Sequence, residues 1–141
     1  MIGEFSGRYR WLSNFSPAEV VWDQETYPTV EHAYQAAKFP SGYSRECIRT
    51  AGTPADAKRI ARQHLGNAKD DWRERKVEIM TGLLRQKFAP GSRLAQKLDE
   101  TEDQEIVEGN TWGDVFWGVC KGRGENMLGK IIMQIRAGNR L

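Results

Sequence analysis

The sequence has few of the residues on which several protein classes depend. Its 141 residues include only two cysteines and two histidines, too few for a disulfide-stapled scaffold or a four-cysteine zinc site. We expect Cys47 and Cys120 to be free, buried thiols in a reducing compartment. Because His32 and His64 form no H-E-x-x-H pattern, a zinc hydrolase is not expected.

Long apolar runs and an excess of one charge are also lacking. No stretch approaches the roughly 18 apolar residues of a transmembrane helix, and residues 1–10 lack the apolar core of a secretory signal. The net charge of +2, from 21 basic and 19 acidic residues, argues against a strongly cationic nucleic-acid coat but leaves room for a local basic groove. We therefore expect a cytoplasmic protein without membrane contact.

The pattern of apolar, capping and breaking residues predicts a mostly helical chain. A polar turn at residues 23–25 between apolar stretches predicts a β-hairpin, and Thr53-Pro54 is a strong helix start. Helices are predicted over residues 30–39, 44–50, 54–65, about 70–88, 93–98 and from about 125 onward, and strands over 106–107 and 115–117. The prediction is a single compact α+β domain over residues 1–141, mostly helical with a small β-sheet or hairpin.

Aromatic and basic side chains leave two interpretations open. Five tryptophans are a heavy load for this length: Trp11, Trp22, Trp72, Trp112 and Trp117. They suit either a tryptophan-rich core or a stacking pocket for a planar ligand. Basic residues spread over two predicted helices form either a solvated face or a phosphate-contacting surface: Lys58, Arg59, Arg62, Arg73, Arg75 and Lys76.

The predicted helix over residues 30–39 carries the first candidate catalytic group. Glu31, Gln35 and Lys38 align on one face at helical spacing, which by itself is compatible with an ordinary solvated face. The helix is short, follows the hairpin directly and is rich in alanine and aromatic residues, so we expect it to be buried on more than one side. A carboxylate there would be desolvated, as a general acid or base requires, and Glu31 is the candidate.

Two glycine-containing segments near the C-terminus are the other candidates. Residues 110–118 combine Asp114 and Trp117, which form either part of a ligand pocket or an ordinary turn with a core tryptophan. Residues 124–130 read G-x-x-x-x-G-K, but isoleucine follows where a P-loop needs serine or threonine. Gly122 and Gly124 would let backbone approach a ligand, and the next helix N-terminus would favour an anion. The alternative is a loop that only caps that helix.

Several of these blocks together resemble one family. They comprise residues 11–17 (WLSNFSP), 27–39 (YPTVEHAYQAAKF), 71–72 (DW), 87–88 (KF), 114–118 (DVFWG) and 124–130 (GENMLGK). In these blocks, and in their order along nearly the whole chain, the sequence is similar to the NADAR, or YbiA-like, family. It departs from the family pattern at residues 119–120, where a more glycine-rich loop is expected, and its N-terminus is short.

The resemblance implies an N-glycosidase that needs no metal or other cofactor. Some similar proteins cleave ribosylaminopyrimidine phosphates of riboflavin biosynthesis, and others remove ADP-ribose from guanine. By motif match, Glu31 is the catalytic glutamate. Functional positions also fall on Trp72, Asp114, Trp117 and Asn126, and substrate-binding positions on Asn14 and Lys38.

The mechanism expected from the resemblance divides the work among these residues. Glu31 would stabilise the positive charge that develops on the ribose, and Asp114 would orient water or the substrate. Trp72 and Trp117 would stack on the base or ribose. Lys38 and the amides of the loop at Gly122 and Gly124 would hold the phosphate.

The expected partner is a phosphorylated ribosyl metabolite, with ADP-ribosylated nucleic acid as the alternative, and the expected oligomeric state is a monomer. Two competing classes remain open on the sequence. One is a binding module that holds ADP-ribose or a nucleotide without cleaving it. The other is a tryptophan-rich interaction domain without a small-molecule site.

Overall fold

The computed structural model describes residues 1–40, 42–68 and 71–141, without the side chain of Asn67. Two strands, β1 (Val20–Trp22) and β2 (Glu25–Tyr27), precede four helices. The helices are α1 (Val30–Ala36), α2 (Tyr43–Arg49), α3 (Pro54–Gln63) and α4 (Trp72–Lys87). Helix α5 (Arg93–Asp99), strands β3 (Gly109–Asn110) and β4 (Val119–Cys120) and helix α6 (Met127–Asn139) complete the order, and 3-10 helices lie at Gly7–Leu12 and Leu65–Asn67. The predicted α+β class, mostly helical with little sheet, is confirmed.

These elements form two compact units, Asn14–Lys87 and Met1–Ser13 with Phe88–Leu141. The single domain expected over residues 1–141 stays a prediction. Among the described residues, no helix combines the length and apolarity that a membrane crossing requires.

In the unit Asn14–Lys87, the predicted hairpin and the helix starts after Thr29 and Thr53 are confirmed. Val20 pairs with Tyr27 and Trp22 with Glu25 in antiparallel register. The turn consists of two residues with positive φ, Asp23 and Gln24, a geometry that matches the twist of the flanking strands. Glu25 therefore belongs to β2 and not to the turn.

Side-chain caps explain where the helices of this unit begin. The hydroxyl of Thr29 accepts a hydrogen bond from the backbone of His32, and that of Thr53 accepts one from Asp56 with Pro54 at the first helical position. Helix α1 ends at Ala36, three residues before its predicted end, and α4 begins at Trp72. The predicted start at Asp70 lies outside the described residues.

The other unit packs α5 and α6 beside two very short strands. Ile106 and Ile2 form a single parallel bridge, so the strand predicted over 106–107 is reduced to that bridge. Helix α6 buries Leu128, Ile131 and Ile132, the stripe that its spacing predicts, and begins at Met127.

The strand predicted over residues 115–117 is wrong. One carboxylate oxygen of Asp114 accepts hydrogen bonds from the backbone of both Phe116 and Trp117. These bonds bend the chain and use N–H groups that a strand ladder would need. The parallel partner of β3 is instead β4, two residues further along, in a sheet of two residue pairs.

Candidate active site

Helix α1 is the most enclosed helix of the unit Asn14–Lys87. Each of its seven residues is buried, which confirms the expectation that this helix is covered on more than one side. Glu31 is only 8% exposed, and its backbone N–H donates to the carbonyl of Asn14 at 3.1 Å. The residue that the family motif marks as catalytic is therefore a largely desolvated carboxylate in the first turn of a helix.

The Glu31 carboxylate is oriented by a neighbour one turn along the helix. Nε2 of Gln35, which is 3% exposed, donates to Oε2 of Glu31 at 2.6 Å. A short hydrogen bond to a carboxylate favours the ionised form and fixes the rotamer. Sequence reasoning placed Gln35 on the face of Glu31 but did not name it as a functional residue. The spacing of four residues between Glu31 and Gln35 could have predicted this contact, because side chains at positions i and i+4 meet on a helix.

Two aromatic rings stand beside this carboxylate-bearing helix. The ring centroids of Tyr34 and Trp72 are 5.0 Å apart, with their planes inclined at 58°. The ammonium of Lys38 lies 5.3 Å from the Tyr34 centroid and 5.9 Å from the Trp72 centroid, within range of a cation–π interaction. We call Glu31, Tyr34, Gln35, Lys38 and Trp72 the Glu31 cluster. The sequence analysis did not name Tyr34 as a candidate.

The electrostatics of the Glu31 cluster centre on Lys38. Burial lowers the pKa of the Lys38 ammonium, and the negative charge of Glu31 opposes this by raising it. Further positive charges lower it again, on Lys58, Lys76 and Arg62. The three further cations that act on Lys38 in this way create a positive potential that an anionic ligand would relieve. Lys58, Arg62 and Lys76 belong to the basic residues of α3 and α4 that the sequence analysis interpreted either as a solvated face or as a phosphate-contacting surface.

Asn14 lies next to Glu31 in the same unit. Its side chain is 9% exposed and Nδ2 contacts the sulfur of Met80 at 3.5 Å. Within the described part of the chain, its Oδ1 has no hydrogen-bond partner. A buried acceptor of this kind suits a donor group of a ligand, such as a hydroxyl or an amine.

In the other unit, Asp114 and Trp117 lie in one tight turn. The Asp114 Oδ1 accepts from the backbone N–H of Trp117 at 2.9 Å, and the Trp117 ring packs edge-on against Phe116, with centroids 4.9 Å apart. Asp114 thus sets the local backbone that carries Trp117. Its predicted role in orienting water or the substrate stays a prediction.

Asn126 has a bridging role in this second unit. It precedes α6 in a left-handed conformation (φ 52°), its Oδ1 accepts from the Glu108 backbone at 2.9 Å, and its Nδ2 donates to the Ile106 carbonyl at 2.9 Å. Its side chain is therefore committed to backbone groups, and any influence on a ligand would pass through the loop that it holds.

The start of α6 favours the second of the two interpretations, a loop that caps this helix. Its leading N–H groups donate to carbonyls of the preceding segment: Glu125 to Val115, Asn126 to Gly118, Met127 to Phe116 and Leu128 to Trp117. A helix start whose donors are used internally cannot offer them to a phosphate. Direct ligand contacts by Gly122 and Gly124 stay predictions. The fold itself requires glycine at position 124, because the φ there is 148° and a Cβ would lie 2.1 Å from the Gly118 carbonyl oxygen.

The remaining chemistry-bearing residues are few. Cys120 is buried as expected, whereas Cys47 is partly exposed, so its prediction as a buried residue is wrong. Among residues 1–40, 42–68 and 71–141, no three histidine, cysteine, aspartate or glutamate side chains are grouped as a metal ion would require.

Comparison with known proteins identifies the family of this chain. The family model of the NADAR domain matches residues 3–139. The chain belongs to the NADAR family. Among curated NADAR relatives, N-glycosidase YbiA of Escherichia coli is 35% identical over 132 residues, which span 93% of this chain and 82% of that protein. A riboflavin biosynthesis protein of Vibrio vulnificus is 35% identical over 89% of this chain, which spans only 34% of that longer protein.

A solved structure supports the same conclusion. The NMR structure of E. coli YbiA superposes with a TM-score of 0.82 at 32% identity, covering 98% of this chain and 86% of that one. The NADAR resemblance read from the motifs is thus confirmed, and the expectation of an enzyme acting on N-glycosyl bonds agrees with the names of these relatives.

Proposed function

We propose that this protein is an N-glycosidase that hydrolyses the bond between ribose C1′ and a base nitrogen, with a ribosylaminopyrimidine phosphate as substrate. The observation that carries the proposal is the Glu31 cluster, in which a buried, oriented carboxylate interacts electrostatically with Lys38. The Lys38 ammonium also lies near the rings of Tyr34 and Trp72 and is influenced by further cations. The names of the relatives, N-glycosidase and riboflavin biosynthesis protein, support the reaction and the substrate class.

The chemistry requires a negative charge close to the ribose. As the C1′–N bond breaks, its electron pair leaves with the base nitrogen and positive charge develops on C1′ and the ring oxygen. An ionised Glu31 stabilises that charge, and its low exposure strengthens the interaction relative to one in water. The oxygen of a water molecule then bonds to C1′, one water proton goes to the leaving nitrogen, and the products are free base and ribose phosphate.

The neighbours of Glu31 suit the rest of such a substrate. Trp72, which is only half-buried, would offer a ring face to a pyrimidine or to the apolar face of ribose, with the buried Tyr34 ring packed against it, and rigid rings lose little entropy on binding. Lys38, with the positive potential around it, would bind the phosphate, which in turn would stabilise the charged ammonium. The unpartnered Oδ1 of Asn14 would accept a hydrogen bond from a substrate hydroxyl or amine.

In the other unit we assign Asp114 a positioning role for Trp117, and Asn126, with Gly122 and Gly124, a role in shaping the loop before α6. These assignments follow from the hydrogen bonds that each makes with local backbone. Trp117 stays in the proposal as a stacking residue.

The test is incubation of the purified protein with two substrates in parallel, with products identified by mass. One is the ribosylaminopyrimidine phosphate, and the other is ADP-ribosylated guanine in single-stranded DNA. Release of free pyrimidine and ribose 5-phosphate supports the proposal. Release of ADP-ribose from intact guanine would instead make the protein a DNA de-modifying hydrolase. No product from either substrate, despite tight binding of the ribosylaminopyrimidine phosphate, would make it a binding module.

Glu31→Gln provides the residue-level test. It keeps the size and one acceptor oxygen of the side chain but removes the charge, so we expect turnover to fall by roughly 100-fold or more with unchanged circular dichroism. Glu78→Gln, at an exposed position of α4, is the matched control and should retain wild-type turnover. Wild-type rates in Glu31→Gln would refute the catalytic assignment.

A further inference from the structure

An exposed aromatic side chain lies in a groove of the unit formed by Met1–Ser13 and Phe88–Leu141. Trp112 is 65% exposed and Val115 is 50% exposed, and both line a cavity of about 720 Å³ together with Lys121 and Arg123. A tryptophan held this far out of the core gives up most of the burial energy that its ring could contribute. Exposed large apolar side chains in a concave site point to binding.

The loop that carries Trp112 is closed at its base. Oδ1 of Asn110 accepts from the Asp114 N–H at 3.0 Å, and its Nδ2 donates to the Asp114 carbonyl at 2.9 Å. Gly113, with a φ of 88°, allows the tight path between them. The indole is thus presented on a braced loop, which lowers the entropy lost when a ligand stacks on it.

The opposite side of the groove is basic. Residues 120–123 form a tight turn in which Cys120 and Arg123 exchange both backbone hydrogen bonds, at 2.8 and 3.1 Å. Lys121 and Gly122 at its centre have φ values of 53° and 76°, as in a type I′ turn. Lys121 and Arg123 are exposed. Among the described residues, those lining the groove include two cations and no carboxylate.

We propose that this groove binds single-stranded nucleic acid, with a base stacked on Trp112 and the adjoining phosphates contacted by Lys121 and Arg123. An exposed aromatic face next to cations is the usual arrangement of such sites. An acidic peptide would pair with the cations but would give the indole no planar partner. A single small molecule would bury too little of itself in so open a groove, whereas a strand continues beyond it.

The inference is independent of the reaction assigned to the Glu31 cluster. The nearly balanced net charge of +2 gives the whole protein little general attraction for polyanions, so binding depends on local features such as this groove.

The test is fluorescence anisotropy of the full chain with a labelled oligothymidine strand of about 12 nucleotides. Trp112→Ala should weaken binding by at least about fivefold, while Trp112→Phe keeps a stacking face and most of the affinity. The double variant Lys121→Gln, Arg123→Gln should reduce the slope of log affinity against log salt by about 1.4, since each phosphate contact on a single strand contributes roughly 0.7.

Two matched controls lie outside the groove. Leu65→Ala removes another exposed apolar side chain, 55% exposed, and Arg93→Gln removes an exposed cation; both should bind the strand as the wild type does. Absence of strand binding, affinity unchanged by Trp112→Ala, or an unchanged salt slope in the double variant would each overturn the proposal. So would a polyglutamate peptide that binds as tightly as the strand and depends equally on Trp112, because that result identifies an acidic protein segment as the occupant.

Discussion

Lys87, the last residue of α4, should make the stability of this protein depend on pH above neutrality. Its side chain is 3% exposed, and burial lowers the pKa of its ammonium from 10.5 to about 7. Between these two pH values the unfolded chain carries a proton on Lys87 that the folded protein has released. The free energy of unfolding must then rise with pH across this window.

The magnitude follows from the size of the shift. The folded and unfolded pKa values differ by about 3.5, and each pKa unit corresponds to about 1.4 kcal/mol. Titration of Lys87 therefore changes the free energy of unfolding by up to about 5 kcal/mol across this window. The destabilisation is fully present below about pH 7, where both states are protonated, and absent above about pH 10.5, where both are neutral. Within the window the slope approaches about 1.4 kcal/mol per pH unit.

The assay is urea unfolding of the wild type and of Lys87→Met over a range from about pH 7 to about pH 9.5. Methionine keeps the volume of the lysine stem without the ammonium, so its free energy of unfolding should lack the rise with pH that the wild type shows, and the difference between the two proteins should change steadily across this range. Lys130→Met, at an exposed position of α6, should run parallel to the wild type. A difference between Lys87→Met and wild type that stays constant across the range would refute the reasoning.

The aromatic and amide contacts lead to two more predictions. Trp72→Ala removes one ring of the pair with Tyr34 and should raise KM by at least about fivefold in steady-state turnover. Trp72→Phe keeps a ring and should have a KM close to that of the wild type. An unchanged KM in Trp72→Ala would exclude stacking of the substrate on Trp72. Asn126→Ala leaves the Glu108 N–H and the Ile106 carbonyl without their partner and should lower the free energy of unfolding by about 2–4 kcal/mol in urea. Asn126→Asp keeps only the acceptor, so its free energy of unfolding should lie between those of the wild type and Asn126→Ala. Equal stability of these three proteins would contradict the role assigned to the Asn126 side chain.

Several features of the fold were predictable because their signals lie within a few residues. Thr29 and Thr53 cap helices through the backbone three residues ahead, and the polar pair at residues 23–24 closes the hairpin. The burial of α1 was predictable from its composition and its position after that hairpin. The family was predictable because its motifs extend over most of the chain, and the family model confirms it.

The strand predicted over residues 115–117 failed for a physical reason. An apolar triplet is typical of a strand, but the Asp114 carboxylate captures the two N–H groups that follow it. The carbonyls of this bent segment then accept hydrogen bonds from the leading N–H groups of α6, which favours the interpretation of this loop as a helix cap. Neither a propensity nor a motif reports such a competition for hydrogen-bonding groups.

The sequence by itself determined the helix starts, the hairpin and the family, because capping, periodicity and motif spacing act between near neighbours. It also singled out Glu31. Only the tertiary structure decided what surrounds that residue: the Asn14 carbonyl on its backbone, the Tyr34–Trp72 pair and the cations around Lys38. These contacts join residues that are distant along the chain, and burial of a carboxylate or an ammonium depends on every element packed around it, so no local pattern specifies them.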